Sequence, residues 1–143
     1  MLDIKNVAAI SLDGEQWKTI PCFPNYLISN MGRVYGGRYN RIVNGSYNEK
    51  GYRIIELYSD KFPKGKKFRI CRLVAEAFCK GCTPQMEIHH CNLCPCDDRA
   101  INLLPVTHEQ HVAIHKAIDR LLSELLDMIS HYKVTDSESE VAA

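Results

Sequence analysis

Met86-Glu87-Ile88-His89-His90 reads as a short extended segment, Asn102-Leu103-Leu104 as a second, and Thr107-His108-Glu109-Gln110-His111-Val112-Ala113-Ile114-His115 as the opening of a helix. A loop rich in Cys, Pro and Asp joins the two extended pieces. Thr107 suits an N-cap, Glu109 and Gln110 suit the first turn, and the helix is predicted to run to about His131. Neighbours in a strand face opposite ways, so His89 and His90 address different sides. His111 and His115, four apart on a helix, share a face. A strand–loop–strand–helix unit can bring His89 against that face, so that two or three imidazoles converge on one ion and His90 stays free to act as a base. Phosphodiester hydrolysis needs this division: an ion against the scissile phosphate and a neutral imidazole to take a proton from water. A lone histidine is usually a surface or satisfied core group. Five of six histidines between 89 and 115, in this pattern, favour a site; His108 and His131 read as surface residues.

Upstream, Leu73, Val74, Ala77 and Phe78 share a helical face. Tyr52 to Tyr58 is the clearest strand, and Pro63-Lys64-Gly65-Lys66-Lys67 reads as a basic turn that makes 52–70 a hairpin. Residues 1–58 read as strands and turns: strands at Trp17–Ile20 and Tyr26–Ser29, turns at Asn30-Met31-Gly32, Gly36-Gly37 and Asn44-Gly45. The fold class is α+β, a strand-rich N-terminal module followed by a strand–strand–helix unit and a long C-terminal helix. Ile114, Ile118, Leu121, Leu122, Leu125, Leu126 and Ile129 make one apolar stripe on that helix. Core packing is the plain reading of the stripe, and a homodimer interface is the alternative.

With 143 residues, 45% hydrophobic and 24% charged, the chain can bury a real core. Wholesale disorder, a collagen-like fibre and a coiled-coil rod are excluded. No apolar run approaches the ~20 residues of a membrane helix. The N-terminus has acids where a secretory signal would be basic and apolar, so the protein reads as cytoplasmic. The net charge of +1 hides an asymmetry: residues 1–72 carry +7 and residues 73–143 carry −6. A basic first half suits a polyanion such as DNA; a solvated face is the plain alternative. Arg33, Arg38, Arg41, Lys64, Lys66 and Lys67 are the candidate phosphate contacts. Trp17, Tyr26 and Tyr35 could stack on bases, but packing in a small β-module suits them better. Seven cysteines, an odd number without a secretion signal, argue against a disulfide framework. Cys79-x-x-Cys82 and Cys91-x-x-Cys94, with Cys96 spare, have the spacing of a structural Zn²⁺ site. Only eight residues separate the two pairs, which favours reduced thiols.

His90, Asp97-Asp98-Arg99, Asn102-Leu103 and His111 together resemble the HNH endonuclease (His-Me finger) pattern of phage and homing type. Arg72 to Phe78 is similar to the helix that precedes such fingers. Glu15-x-Trp17-Lys18-x-Ile20-Pro21 and Ser29-Asn30-x-Gly32-Arg33-Val34 are similar to a nuclease-associated modular DNA-binding motif. The resemblance covers roughly residues 15–116, three motifs in the expected order. It implies a DNA-binding module over 1–60, a ββα-metal nuclease unit with its helix over 61–133, and a flexible acidic tail over 134–143. It implies His90 as the general base, His89 and His111 as ligands of a divalent metal, and Asn102 as the residue that braces the finger. His115 is an extra ligand only in a histidine-rich branch. Phage-type members usually place Asp or Asn where His89 stands, and the all-imidazole set shifts preference from Mg²⁺ toward Zn²⁺, Ni²⁺ or Mn²⁺. A phage or mobile-element origin follows from the resemblance alone.

The function expected is a metal-dependent DNA endonuclease in which His90 activates water. The rival is a non-catalytic, zinc-stabilised DNA-binding module, and a third reading is an RNase.

Overall fold

The computed structural model describes residues 4–141. They form two compact units, divided between residues 106 and 107.

The first unit opens with a short helix, α1 (Ile4–Ile10), where the sequence suggests only strands and turns. Seven residues are too few to show a helical period. The turn after it is held by Ser11, whose hydroxyl donates to the Val7 carbonyl and accepts from the Trp17 indole. A four-stranded antiparallel sheet follows, in the order β1 (Trp17–Ile20), β2 (Phe23–Ser29), β3 (Val34–Gly36) and β4 (Arg41–Ile42). Alternation places Tyr26 and Ile28 of β2 in the interior, and Phe23, opposite Ile20 beyond a shift in register, is buried as well.

A second sheet pairs β5 (Ser46–Tyr47), β6 (Arg53–Ser59) and β7 (Phe62–Arg69). The β6–β7 hairpin turns at Asp60-Lys61, not at the basic stretch from Pro63. Pro63 and Gly65 lie inside β7. That strand is at the sheet edge, where a proline's missing N–H costs no ladder bond. The basic residues therefore line an edge strand. Helix α2 (Ile70–Phe78) follows directly and buries Ile70, Cys71, Leu73, Val74 and Ala75. These pack in one cluster with Ile20, Phe23, Ile28, Ile55, Leu57 and Leu103. The expected boundary at residue 60 falls in the β6–β7 turn, and the core runs across it.

A two-stranded ribbon, β8 (Glu87–His90) with β9 (Leu103–Val106), completes the unit; His89 lies opposite Leu104 and His90 opposite Leu103. Arg72 of α2 donates to the Thr83 and Met86 carbonyls, which fixes the approach to β8.

The second unit is one helix, α3 (His108–Val141). Thr107 and Gln110 make a reciprocal cap: Gln110 N–H donates to Thr107 Oγ1 at 3.2 Å, and Thr107 N–H to Gln110 Oε1 at 2.9 Å. The helix continues past His131, because residues 132–141 hold no Gly or Pro to stop it. The end of the 134–143 tail, Ala142 and Ala143, lies outside the described residues. Leu121, Leu122, Leu125, Leu126 and Ile129 are exposed, so the apolar stripe is not core packing within this chain.

Candidate active site

His90 is buried at the end of β8, and its Nε2 faces Asp98 Oδ1 at 3.5 Å. Asp98 is itself buried, and its other oxygen meets Arg53 Nη1 from β6 at 3.3 Å. Arg53 also donates to the Gly32 carbonyl at 2.8 Å. The chain Arg53–Asp98–His90 thus links the second sheet to the ribbon. Its closeness depends on Gly32, which has a φ of +74° and lies so near that an added Cβ would sit 2.9 Å from Asp98 Cβ. Tyr52 flanks the imidazole, its ring centroid 5.8 Å away. Cys71, Asp98 and His90 bring Sγ, carboxylate oxygen and imidazole nitrogen within 4.8 Å of one another. Burial pushes the Cys71 thiol up to about 11, so it is a neutral neighbour and leaves the Asp98 charge to Arg53.

Asn102 holds the loop between the ribbon strands. Its Oδ1 accepts from the Asn92 backbone N–H, and its Nδ2 donates to Asn92 Oδ1 and to the Asp97 carbonyl. Asn92 in turn donates to Asp97 Oδ2 at 2.8 Å. Arg99 grips both Asp97 oxygens at 2.8 and 2.7 Å and, as the largest cause, holds that carboxyl down at about 2. The backbone pair Cys91 N–H to Asn102 carbonyl closes the base of the loop.

His89 is buried in β8 beside His90. On α3, His111 and His115 stand with their Nε2 atoms 3.2 Å apart. Two imidazole nitrogens converging in this way fit adjacent ligands of one divalent ion. The five clustered cysteines do not: among the described residues no three of their thiols gather as a ligand group. Cys79 faces the Leu103 and Ala100 carbonyls, Cys82 lies by Arg72, and Cys94 and Cys96 pair their sulfurs at 2.8 Å. The four-thiol zinc arrangement that their spacing suggests is therefore not formed.

Of the basic candidates, Arg38, Arg41, Lys64, Lys66 and Lys67 are exposed. Arg33 is committed internally. It pairs with Glu15 at 2.8 Å, donates to the Ile10 carbonyl and lies over Trp17. Tyr26 and Tyr35 are buried, so they pack rather than stack on bases. Sequence alone assigns no role to Asp98 or Arg53. Asp98 stands within the Asp97-Asp98-Arg99 motif, whereas nothing in the sequence marks Arg53, 45 positions away.

The family model described as the NUMOD4 motif matches residues 15–58. DNA endonuclease I-HmuI of Bacillus phage SP01 is 34% identical over 76 residues, 52% of this chain and 42% of that protein. An uncharacterised HNH endonuclease, L247 of Acanthamoeba polyphaga mimivirus, is 35% identical over 72% of this chain and 26% of its own. H-N-H endonuclease F-TflII of Escherichia phage T5 is 29% identical over 68% and 50%. The chain thus spans half or less of the curated relatives it matches. The solved structure of the HNH homing endonuclease I-HmuI, described for DNA binding and cleavage, superposes with a TM-score of 0.64 at 29% identity, over 73% of this chain and 59% of that one. In sequence and fold this chain is thus similar to part of the HNH endonucleases of the phage and homing type, and its residues 15–58 match the NUMOD4 motif.

Proposed function

We propose that the protein is a metal-dependent DNA endonuclease in which His90 is the general base. The observation that carries this reading is the His90–Asp98–Arg53 chain, in which His90 and Asp98 are buried and Arg53 half-buried. A carboxylate on Nε2 favours the tautomer that keeps its proton there, which leaves Nδ1 as the basic nitrogen. Asp98 then steadies the imidazolium formed when His90 takes a proton from water, as carboxylates do beside catalytic histidines in other hydrolases. Asn102 keeps the loop after His90 in register and so helps to hold the base in place. His89, His111 and His115 are the residues that would hold a divalent ion (Mg²⁺, Mn²⁺, Ni²⁺ or Zn²⁺). When bound, that ion supplies charge stabilisation at the scissile phosphate. Arg38, Arg41, Lys64, Lys66 and Lys67 would meet the DNA backbone, contacts that position the duplex without reading its sequence. Arg33 drops out of this set because its guanidinium is already paired. The exposed leucines of α3 would join two copies where both strands are cut.

The test is plasmid nicking by wild type and His90→Ala with each metal after EDTA stripping. Wild type is expected to nick, and His90→Ala to lose about 10²- to 10⁴-fold in turnover while binding DNA unchanged. His89→Ala is expected to lose metal affinity together with activity. Equal cleavage by His90→Ala would overturn the assignment of the base. Salt-sensitive DNA binding with no cleavage in any metal would favour the binding-only module.

A further inference from the structure

A cavity of about 390 Å³ opens among β2, the β3–β4 turn and the tip of the β6–β7 hairpin, and none of His89, His90, Asn102, His111 and His115 lines it. Three tyrosines form its walls: Tyr26, which is buried, and Tyr39 and Tyr58, which are 55% and 44% exposed. The Tyr58 ring is seated on Gly65 of β7, where an added Cβ would lie 2.8 Å from the ring. Its hydroxyl donates to Glu56 Oε2 at 2.8 Å. That bond is the main reason the phenol titrates above its usual range, and the neighbouring Tyr26 and Tyr39 phenols add to it. Tyr58 is therefore held in place as a neutral aromatic surface.

The polar groups at the cavity have hydrogen-bonding capacity to spare. Ser59 Oγ is buried and has no hydrogen-bond partner among the described residues, and Asp60 and the Asn25 amide also line the space. An orphaned buried hydroxyl is costly unless something else satisfies it. The rim is cationic: Arg38 lines the cavity, Arg41 lies over the Tyr39 ring at 5.8 Å, and exposed Lys61 and Lys64 flank the hairpin tip.

Exposed aromatic faces, edge-reading polar groups and a basic rim are what an unstacked nucleobase on a polyanionic strand requires. A paired base offers its edges only through a groove and has no free face. We propose that this cavity takes one unpaired nucleobase of the DNA strand, stacked on Tyr39 and Tyr58, with Ser59 and Asp60 at its polar edge and Arg38 on the adjacent phosphate. The inference rests on the reading of the protein as a DNA-binding one.

The experiment measures binding of the full chain to four probes. These are a paired duplex, the same duplex with one unpaired 2-aminopurine, that duplex with an abasic site instead, and free 2-aminopurine deoxynucleotide. Wild type is expected to quench the unpaired 2-aminopurine and to bind that duplex about tenfold tighter than the abasic one, the scale of one base–aromatic stack. Tyr39→Leu and Tyr58→Leu are expected to lose both effects and to keep their affinity for the paired duplex. Tyr39→Phe is expected to retain both, since it keeps the ring, and circular-dichroism melts check that each variant folds. Equal affinity for the unpaired and abasic duplexes, with the paired duplex still bound, would overturn the pocket and leave the DNA-binding reading standing. Failure to bind any duplex would overturn both. Free nucleotide bound as tightly as the unpaired duplex would overturn a strand-borne base as the occupant.

Discussion

Asp97 and Asp98 are adjacent acids with different work to do. Asp98 is buried between His90 and Arg53, while Asp97 ties the loop after β8 through Arg99 and Asn92. Because the folded Asp97 carboxyl titrates at about 2, against an unperturbed 3.8, the bonds it makes are in full force above about pH 4. They weaken as the pH falls from there through about 2. Thermal melts of wild type and Asp97→Asn are therefore expected to differ at pH 6 and to converge below about pH 2, since the protonated acid and the amide are then equivalent. A stability gap that persists at the acid end would contradict this account. Gly32 makes the second prediction at this scale. Alanine there must adopt a left-handed backbone and place its Cβ against Asp98, which is expected to cost more than about 1–2 kcal/mol. Because the strain falls on the residue facing His90, the proposed nuclease activity should drop more steeply than stability. A Gly32→Ala protein with wild-type melting and cleavage would count against the proposed role of Asp98.

Among the elements, those with a strong local signal are legible in the sequence. Thr107 is readable as a cap because a hydroxyl before a helical period has one obvious use, and the structure pairs it with Gln110. Thr107→Ala is expected to destabilise α3 by about 1 kcal/mol, seen as reduced helical signal and earlier melting of the helix; an unchanged melt would mean that other interactions hold the first turn. The strand assignments at β1, β2, β6, β8 and β9 follow from alternation and turn residues. The β6–β7 turn does not. Pro63 and Gly65 usually break strands; the shift in register against β6 and the position of β7 at a sheet edge, both tertiary facts, let them remain inside it. Helix α1 escapes a sequence reading because seven residues do not make a period, and the bonds that tie it down run through Ser11 to Trp17.

For the molecule as a whole, the +7 of residues 1–72 against the −6 of residues 73–143 makes the first half the side on which the proposed DNA partner would be met. In the triple variant Lys64→Gln, Lys66→Gln, Lys67→Gln, the slope of log affinity against log salt is expected to become shallower by about 1 for each phosphate no longer neutralised. An unchanged slope in a binding titration would move the DNA interface away from β7. No helix among the described residues is long and apolar enough to cross a membrane, in line with the composition. By itself the sequence determined the α+β class, the order of the elements from β6 onward, the histidine pattern and the likeness to HNH endonucleases. Those properties are local: periodicity, caps, turn chemistry and motif spacing are all carried by neighbouring residues. Tertiary structure alone decided that Arg53 and Asp98 meet at His90, that Arg33 is tied to Glu15, that the clustered cysteines do not converge, and that three tyrosines wall one cavity. Each of these joins groups from separate elements, and only the packing of one sheet against the next sets such distances.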